Sequence, residues 1–390
     1  MHCMERGPHI ALALLLVAPI VRAHVAVSTC PRPGRFVRCT SLRAAADGLG
    51  GSDNSLGDEA MATLLERMRQ ARANEESQQV ADMVAAANNW RTGQCQQQTV
   101  AVLDAWVRRA HRCDDLIAVG TYTGDVHLIE ASSGETRRVW RGTEVAEEIT
   151  ALCFDGEHLS HCDADGDVSF RRLSSDSEEP LFSASHRRAA SGVHWDGGQL
   201  AYSCSLDGRL VCYNIDARGE VASLSFRAPV LSMSVFDGYV ACSLRDGAVA
   251  LCSLSPLREL IRFDAHPGSA ATAVHLVTSN QLITGSADGE VLLWRLEEEE
   301  SSGRRRIAFE GHNGPVVCVQ GDCSKVVSGA RDGTVRVWEA DTGQLRFTLQ
   351  GYTAYLGSVQ IAPTWLMADG TNNVVTLLDF GEQDDEVAQY

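Results

Sequence analysis

Lysine is almost missing from this 390-residue chain: Lys325 stands alone against 33 arginines, which reads as a compositional bias of the genome. Long apolar runs are equally scarce. The longest, residues 10–21 (IALALLLVAPIV), is too short for a comfortable bilayer span, so no membrane span is expected in the mature chain. No cysteine pair has zinc-finger spacing. Most of the 13 cysteines stand singly in apolar runs (Cys153, Cys162, Cys204, Cys212, Cys242, Cys252, Cys318), which excludes a small disulfide-stapled fold and fits a reducing compartment. His158, His161 and Cys162 lie close together, but no second cluster completes four zinc ligands. Asp163–Asp167 opens like a calcium loop whose later carboxylates are absent, so neither metal nor cofactor is expected. Basic charge is short as well. The net charge is −17, and residues 1–46 hold six Arg against Glu5, leaving −22 on the remainder. So acidic a body repels phosphate backbones, which excludes nucleic acid as its primary ligand.

The N-terminus carries what the rest lacks. The apolar run ends in Val21-Arg22-Ala23, with small residues three and one before a break, and predicts a signal peptide over 1–23. Residues 24–46 hold Arg32, Arg35, Arg38 and Arg43 and no acidic residue, a transit-peptide composition. The pair resembles the two-part import signal of algae with complex plastids and implies plastid residence; cytoplasmic or secreted residence is the alternative. Residues 47–57 read as a flexible linker. Residues 58–88 read as a helical segment capped by Asp58, with Met61, Leu64, Leu65 and Met68, then Val80, Met83, Val84 and Ala87, at helical spacing. This segment either folds against the next domain or binds a partner or a second copy. Residues 381–390 form an acidic tail.

Between these ends one hairpin repeats. Gly124, Gly166, Gly208, Gly247, Gly289 and Gly333 follow one another at gaps of 42, 42, 39, 42 and 44, and Asn373 extends the series by 40. In the clearer copies an apolar run enters an Asp-Gly corner, read as a tight primed turn, and an alternating run leaves it. A third run precedes the hairpin (Ile149–Phe154, Val230–Phe236) and a fourth follows it (Thr136–Trp140, Glu220–Phe226). Four strands per period, seven times, predict an all-β, seven-bladed propeller over 89–380. The last copy lacks a confident fourth strand, and Gln94–Val100 is expected to supply it, since an open ring would expose edges.

Gly311-His312, then Ser328, Asp332 and Trp338, resembles a WD repeat with its Gly-His and Trp-Asp landmarks, with Glu339 as the final acid. The resemblance implies a buried hydrogen-bonded tetrad of His312, Ser328, Asp332 and Trp338, repeated by His266, Thr284, Asp288 and Trp294. A third set is His186, Ser203 and Asp207, with Tyr213 for Trp. In the fourth copy Cys242 and Cys252 take the Ser and Trp positions, as buried apolar thiols or as a redox-sensitive pair. Asn89-Trp90-Arg91-Thr92-Gly93 resembles the lead-in of F-box-type WD proteins, but no F-box is evident upstream. The Asp-His-Ser sets also suggest a nucleophilic triad. Their recurrence in consecutive repeats favours structure over catalysis, because an active site is normally singular.

The residue before each turn Asp is expected at the mouth of the ring: Leu206, Arg245, Arg331 and, by weaker alignment, Tyr122. Arg and Tyr are common interface anchors, and such arginines suit partners with acidic docking groups. Glu297–Glu300 and Arg304–Arg306 are read as a solvated, self-complementary hairpin extension. The sequence therefore points to a non-catalytic scaffold for other proteins. Alternatives are a substrate-recognition subunit of a cullin-type ubiquitin ligase and a propeller enzyme with a central-channel site.

Overall fold

The computed structural model describes residues 70, 78, 80–142, 147–175, 177, 179–300, 303–353 and 356–381, with backbone only at 297–300, 303–305 and 371. The segments expected over 1–23, 24–46 and 47–57, the first part of 58–88 and the tail beyond Gly381 lie outside these residues.

Seven four-stranded antiparallel sheets make a seven-bladed propeller. The closing strand is β1 (Gln96–Val102). Blade one is β2 (Val107–Cys113), β3 (Leu116–Thr121), β4 (Val126–Glu130) and β5 (Thr136–Trp140). Blade two is β6 (Ile149–Phe154), β7 (His158–Asp163), β8 (Asp167–Arg172) and β9 (Phe182–Ser185). Blade three is β10 (Ala190–His194), β11 (Leu200–Ser205), β12 (Arg209–Asn214) and β13 (Gly219–Ser225). Blade four is β14 (Val230–Phe236), β15 (Tyr239–Leu244), β16 (Ala248–Leu254) and β17 (Leu257–Asp264). Blade five is β18 (Ala271–Thr278), β19 (Gln281–Ser286), β20 (Val291–Glu300) and β21 (Gly303–Phe309). Blade six is β22 (Val316–Gly321), β23 (Lys325–Ala330), β24 (Thr334–Glu339) and β25 (Leu345–Gln350). Blade seven joins β26 (Val359–Ile361), β27 (Trp365–Thr371) and β28 (Val374–Asp379) to β1, in the order β1-β28-β27-β26.

The first strands of successive blades touch one another around the ring, from β2 through β22 to β26. Their second residues are bulged in blades one to six, and in blades two, three and five a hydroxyl there reaches the next blade. Thr150 donates to the Ala190 carbonyl at 2.5 Å, Ser191 to Val230 at 2.7 Å and Thr272 to Val316 at 2.5 Å. Farther along the same strands, Gln360 grips both backbone groups of Arg112, and Gln320 and Ser234 accept from Ile361 and Leu276. Apolar layers fill the space between blades; Ile283, Val291 and Phe309 of blade five pack on Val316, Val326 and Trp338 of blade six. That burial on both faces is why the second strand of each blade reads as a nearly continuous apolar run.

Ring closure follows the sequence expectation with a small shift in bounds. β1 pairs with β28 from Gln96↔Asp379 to Val102↔Val374. Upstream, the helix α1 (residues 80–92) runs four residues past the expected end and stops where Gly93, at φ +77°, turns back its N–H to the Asn89 carbonyl. Trp90 is buried, stacks on Phe380 at 3.9 Å and donates to the Pro363 carbonyl, while Asn89 donates to the carbonyls of Phe380 and Gly381. The ammonium of Lys325 lies 4.6 Å over the Trp90 ring. The helix thus clamps the entry and exit of the ring together, yet its other face leaves Val80, Met83 and Val84 exposed.

The hairpin corners differ from the primed turns expected. The turn Asp residues keep negative φ; only the glycine is left-handed, at +102° for Gly166, +83° for Gly208, +90° for Gly247, +93° for Gly289 and +80° for Gly333. Each glycine N–H closes a four-residue turn on the last residue of the preceding strand, as Gly333 does on Ala330. The corner is therefore an ordinary turn followed by a left-handed bulge residue. The Asp is chosen for a different reason. Its Oδ1 accepts the backbone N–H two residues on, from Arg209 to Asp207 at 2.9 Å and from Thr334 to Asp332 at 3.0 Å. In blade seven the left-handed residue is Asn372 (φ +64°), one before the Asn373 of the sequence series, because that hairpin turns through two residues between Thr371 and Val374.

The charged stretch of blade five forms a strand extension. β20 and β21 pair out to Glu299↔Arg304 and Glu300↔Gly303.

Candidate functional site: the buried tetrads and the turn rim

In blade six His312 Nδ1 lies 2.9 Å from Asp332 and Nε2 2.8 Å from Ser328 Oγ, which also accepts the Trp338 indole N–H at 2.9 Å. Because the ionised Asp332 can only accept, the Nδ1–H goes to it, and Nε2 of the neutral ring accepts the Ser328 hydroxyl hydrogen. Burial lowers the His312 pKa against the opposing pull of Asp332 and keeps the ring neutral. Burial alone would raise Asp332, but hydrogen bonds from Thr334, the Asn313 N–H and His312 hold it down to about 2. Blade three repeats the arrangement with His186, Ser203 and Asp207, and Tyr213 OH meets Ser203 Oγ at 3.1 Å in place of an indole.

Blade five departs from the pattern. His266 Nε2 meets Thr284 at 2.8 Å and Trp294 donates to Thr284 at 3.0 Å, but Nδ1 faces Glu290 at 3.1 Å rather than Asp288. In blades three and six the Asp is held by the N–H of the residue after the histidine, Arg187 at 3.2 Å and Asn313 at 3.0 Å. That residue is Pro267 in blade five, and proline has no N–H to offer. Sequence reasoning missed Glu290, although Pro267 was the readable signal.

Blade four fills the same slot with apolar groups. Cys242 pairs with Ala250 and Cys252 with Val240, two steps apart on adjacent strands, and both pack with Phe226, which occupies the histidine position. The equivalence of Phe226 rests on backbone: its N–H bonds the Gly208 carbonyl as that of His186 bonds Gly166. Both thiols are free, and burial pushes them up, Cys252 to about 12, so neither is poised to react as thiolate.

The other clusters considered from sequence are spent locally. Asp163 Oδ1 accepts the N–H groups of Gly166 and Asp167, closing its own turn. His158 is bonded to Asp155 at 3.0 Å and packs edge-on against Trp195. His161 is half-buried, and desolvation of its ring, with the nearby Arg171 charge, lowers its pKa to about 3.

The turns and the inter-blade connections share one rim. The N–H of Tyr122 donates to Trp106, Leu206 to Ala189, Arg245 to Pro229 and Arg331 to Pro315, each acceptor lying immediately before a first strand. Arg245 and Arg331 are exposed, Leu206 is half-buried, and Tyr122 is 53% exposed. The rim also carries residues outside the repeat's turn positions. Arg187, Arg188 and Arg227 are exposed on the connections into blades three and four. Trp106, 48% exposed, lies 6.1 Å from Tyr122, and Arg108 lies 4.9 Å over the Tyr122 ring while pairing with Glu148. The connections could have been read for these residues, because they recur with the turns.

This architecture defines a seven-bladed propeller in which blades five and six carry His–Ser/Thr–Trp hydrogen bonds and blade three a variant with Tyr. Two repeats, residues 257–295 and 303–339, match the family model "WD domain, G-beta repeat". The chain is thus a seven-bladed propeller that contains WD40 repeats. It is 26% identical over 170 residues to zinc finger CCCH domain-containing protein 59 of Arabidopsis thaliana, covering 42% of this chain and 35% of that protein. It is 29% identical over 121 residues to the ribosome biogenesis protein YTM1 of Kluyveromyces lactis, covering 29% of this chain and 27% of that protein. The matched region is thus about a third or less of those relatives' length. Among solved structures, the RRP9 WD40 repeats superpose with a TM-score of 0.63 at 18% identity, covering 73% of this chain and 99% of that one, a likeness of fold.

Proposed function

We propose that this protein is a non-catalytic scaffold that holds partner proteins on the turn rim, with acidic groups of the partner meeting the arginines. The observation that carries the reading is the concentration of exposed Arg187, Arg188, Arg227, Arg245 and Arg331 on one rim of a strongly acidic chain. Complementary charge of this kind steers encounter and fixes partner choice, and the neighbouring Trp106–Tyr122 pair offers an apolar anchor. Non-catalytic action is supported by the fate of the Asp-His-Ser sets: Ser203 and Ser328 are fully buried, and each hydroxyl is engaged by two side chains. The N-terminal 46 residues are proposed to direct the chain to a complex plastid, which imaging of a fluorescent fusion would check.

Affinity capture from native extract, with identification of partners bound to the wild type, tests the scaffold. Joint reversal of Arg245→Glu and Arg331→Glu should cut capture at least tenfold, and Trp106→Ala with Tyr122→Ala should weaken it separately. Capture untouched by both double variants would refute the rim as the docking surface.

A further inference from the structure

We propose that His266, Asp288 and Glu290 form a binding site for a divalent first-row transition cation at the corner of blade five. One ligand atom from each of the three lies within 4.8 Å of the others, the one such group of three His, Cys, Asp or Glu side chains among the described residues. Its imidazole is pre-organised. His266 is buried with Nε2 fixed on Thr284, and Thr284 is fixed by the Trp294 indole, so Nδ1 has one available direction, toward the carboxylates. Glu290 Oε2 already stands 3.1 Å from it.

The comparison among blades supplies the second line of argument. In blades three and six one carboxylate is locked on the histidine Nδ1 by a backbone N–H, and the next strand begins with Arg209 or Thr334. Blade five differs at both points. Pro267 removes the backbone donor, and Glu290 replaces the neutral or basic residue. Asp288 keeps the turn bond from the Glu290 N–H at 3.0 Å, and its own N–H donates to Ser286 Oγ, which bonds Ser269, so the turn that carries the carboxylate is held in place. A tetrad with one locked carboxylate has become an imidazole bonded to Glu290 with the Asp288 carboxylate close by, an arrangement that a cation can bridge.

The donor set selects the ion class. One imidazole and two carboxylates suit Mn2+ or Zn2+ and not a thiol-seeking metal. Three protein ligands leave further positions for water or for a group brought by a partner. Access is open, since Asp288 is exposed and the Glu290 side chain retains about a third of its exposure. Binding needs no net proton release from the imidazole. The Nδ1 proton moves to Nε2, which then donates to Thr284 Oγ, and that oxygen has a second lone pair beside the one used by Trp294.

Mn2+ is the probe of choice, because the free thiols of this chain bind it poorly. Titration of the full chain with Mn2+, followed by the loss of the free-ion paramagnetic resonance signal in a background of excess Mg2+, should show one bound ion per chain that Zn2+ displaces. Glu290→Gln and Asp288→Asn should each weaken binding on the order of tenfold or more, with the thermal transition retained. Pro267→Asn keeps all three ligands but restores the backbone donor found at Asn313, and should weaken binding by recapturing Asp288. Absence of stoichiometric binding overturns the proposal. So does binding unchanged in both Glu290→Gln and Asp288→Asn, which would assign the ion to the acidic surface at large.

Discussion

Blades four and six solve one problem with opposite chemistry. In blade six the slot between the second and third strands holds Ser328 and Trp338, tied by hydrogen bonds to His312 and Asp332. In blade four the same register positions hold Cys242 and Cys252, with Phe226 where the histidine would be, and the slot is filled by apolar groups with the Arg262 guanidinium over the Phe226 ring. Backbone register, turn and bulge are alike in both. The tetrad is therefore not what makes a blade; strand pairing and inter-blade burial do that. What the slot requires is that its contents be consistent, either a polar set with every donor and acceptor met or an apolar one.

The largest break in this comparison should come from volume. Trp338 is 1% exposed and packs against Phe309 and His312, whereas Cys252 contributes a single sulfur to its layer. Trp338→Ala should cost about 3 to 5 kcal/mol, and Cys252→Ala about 1 to 2 kcal/mol. Denaturant midpoints, with hydrogen exchange to localise the loss to each blade, check the difference. Equal costs would mean that the polar blade carries no more of the packing than its thiol counterpart.

Exchanging the two chemistries sharpens the point. Ser328→Cys puts a weak donor and weak acceptor where the imidazole needs a donor and the indole an acceptor, while Cys242→Ser puts a hydroxyl among Phe226, Cys252 and their apolar neighbours. Each should destabilise by about 1 to 3 kcal/mol, although each introduces the residue that its counterpart blade uses. Stabilisation by Cys242→Ser would show that blade four is a decayed tetrad and not a self-consistent apolar slot.

The sequence carried the ring because its signals were local and stereochemical. A left-handed corner needs glycine, and six of the seven corners have it, with Asn372 tolerating the same conformation in the seventh. The closing strand was legible because a propeller cannot leave an edge, and Trp90 marked where the entry and exit of the ring meet. The turn class was not legible, since Asp-Gly fits both a primed turn and a turn with a bulge, and only φ at the Asp separates them. The exchange of Asp288 for Glu290 depends on a backbone N–H absent at Pro267, an effect of one missing atom that a motif comparison passes over. The rim arginines at 187, 188 and 227 escaped because they lie on connections, outside the repeat's own landmarks.

The smallest expected effect is also the one that separates the blades by pH. Residues 227–265, which span blade four, contain no histidine, while blade five carries His275 on its first strand, where burial lowers the pKa to about 4 despite the bond it donates to the Gly321 backbone and the charge of Asp322. His111 of blade one is lowered likewise to about 4. A base whose folded pKa lies below its unfolded value of about 6.5 takes its proton first in the unfolded chain. Its stabilising contribution is complete above about pH 6.5 and declines as pH falls from there toward the folded pKa. Between pH 7 and 6 each such histidine should lower the local opening free energy by about 1 kcal/mol or less, read as reduced hydrogen-exchange protection in β18 and β2 after correction for the intrinsic rate. Over the same interval β14 to β16 should stay flat. Parallel loss in blade four would mean that the ring opens as one unit, and that the chemistry of a single slot is averaged over its neighbours.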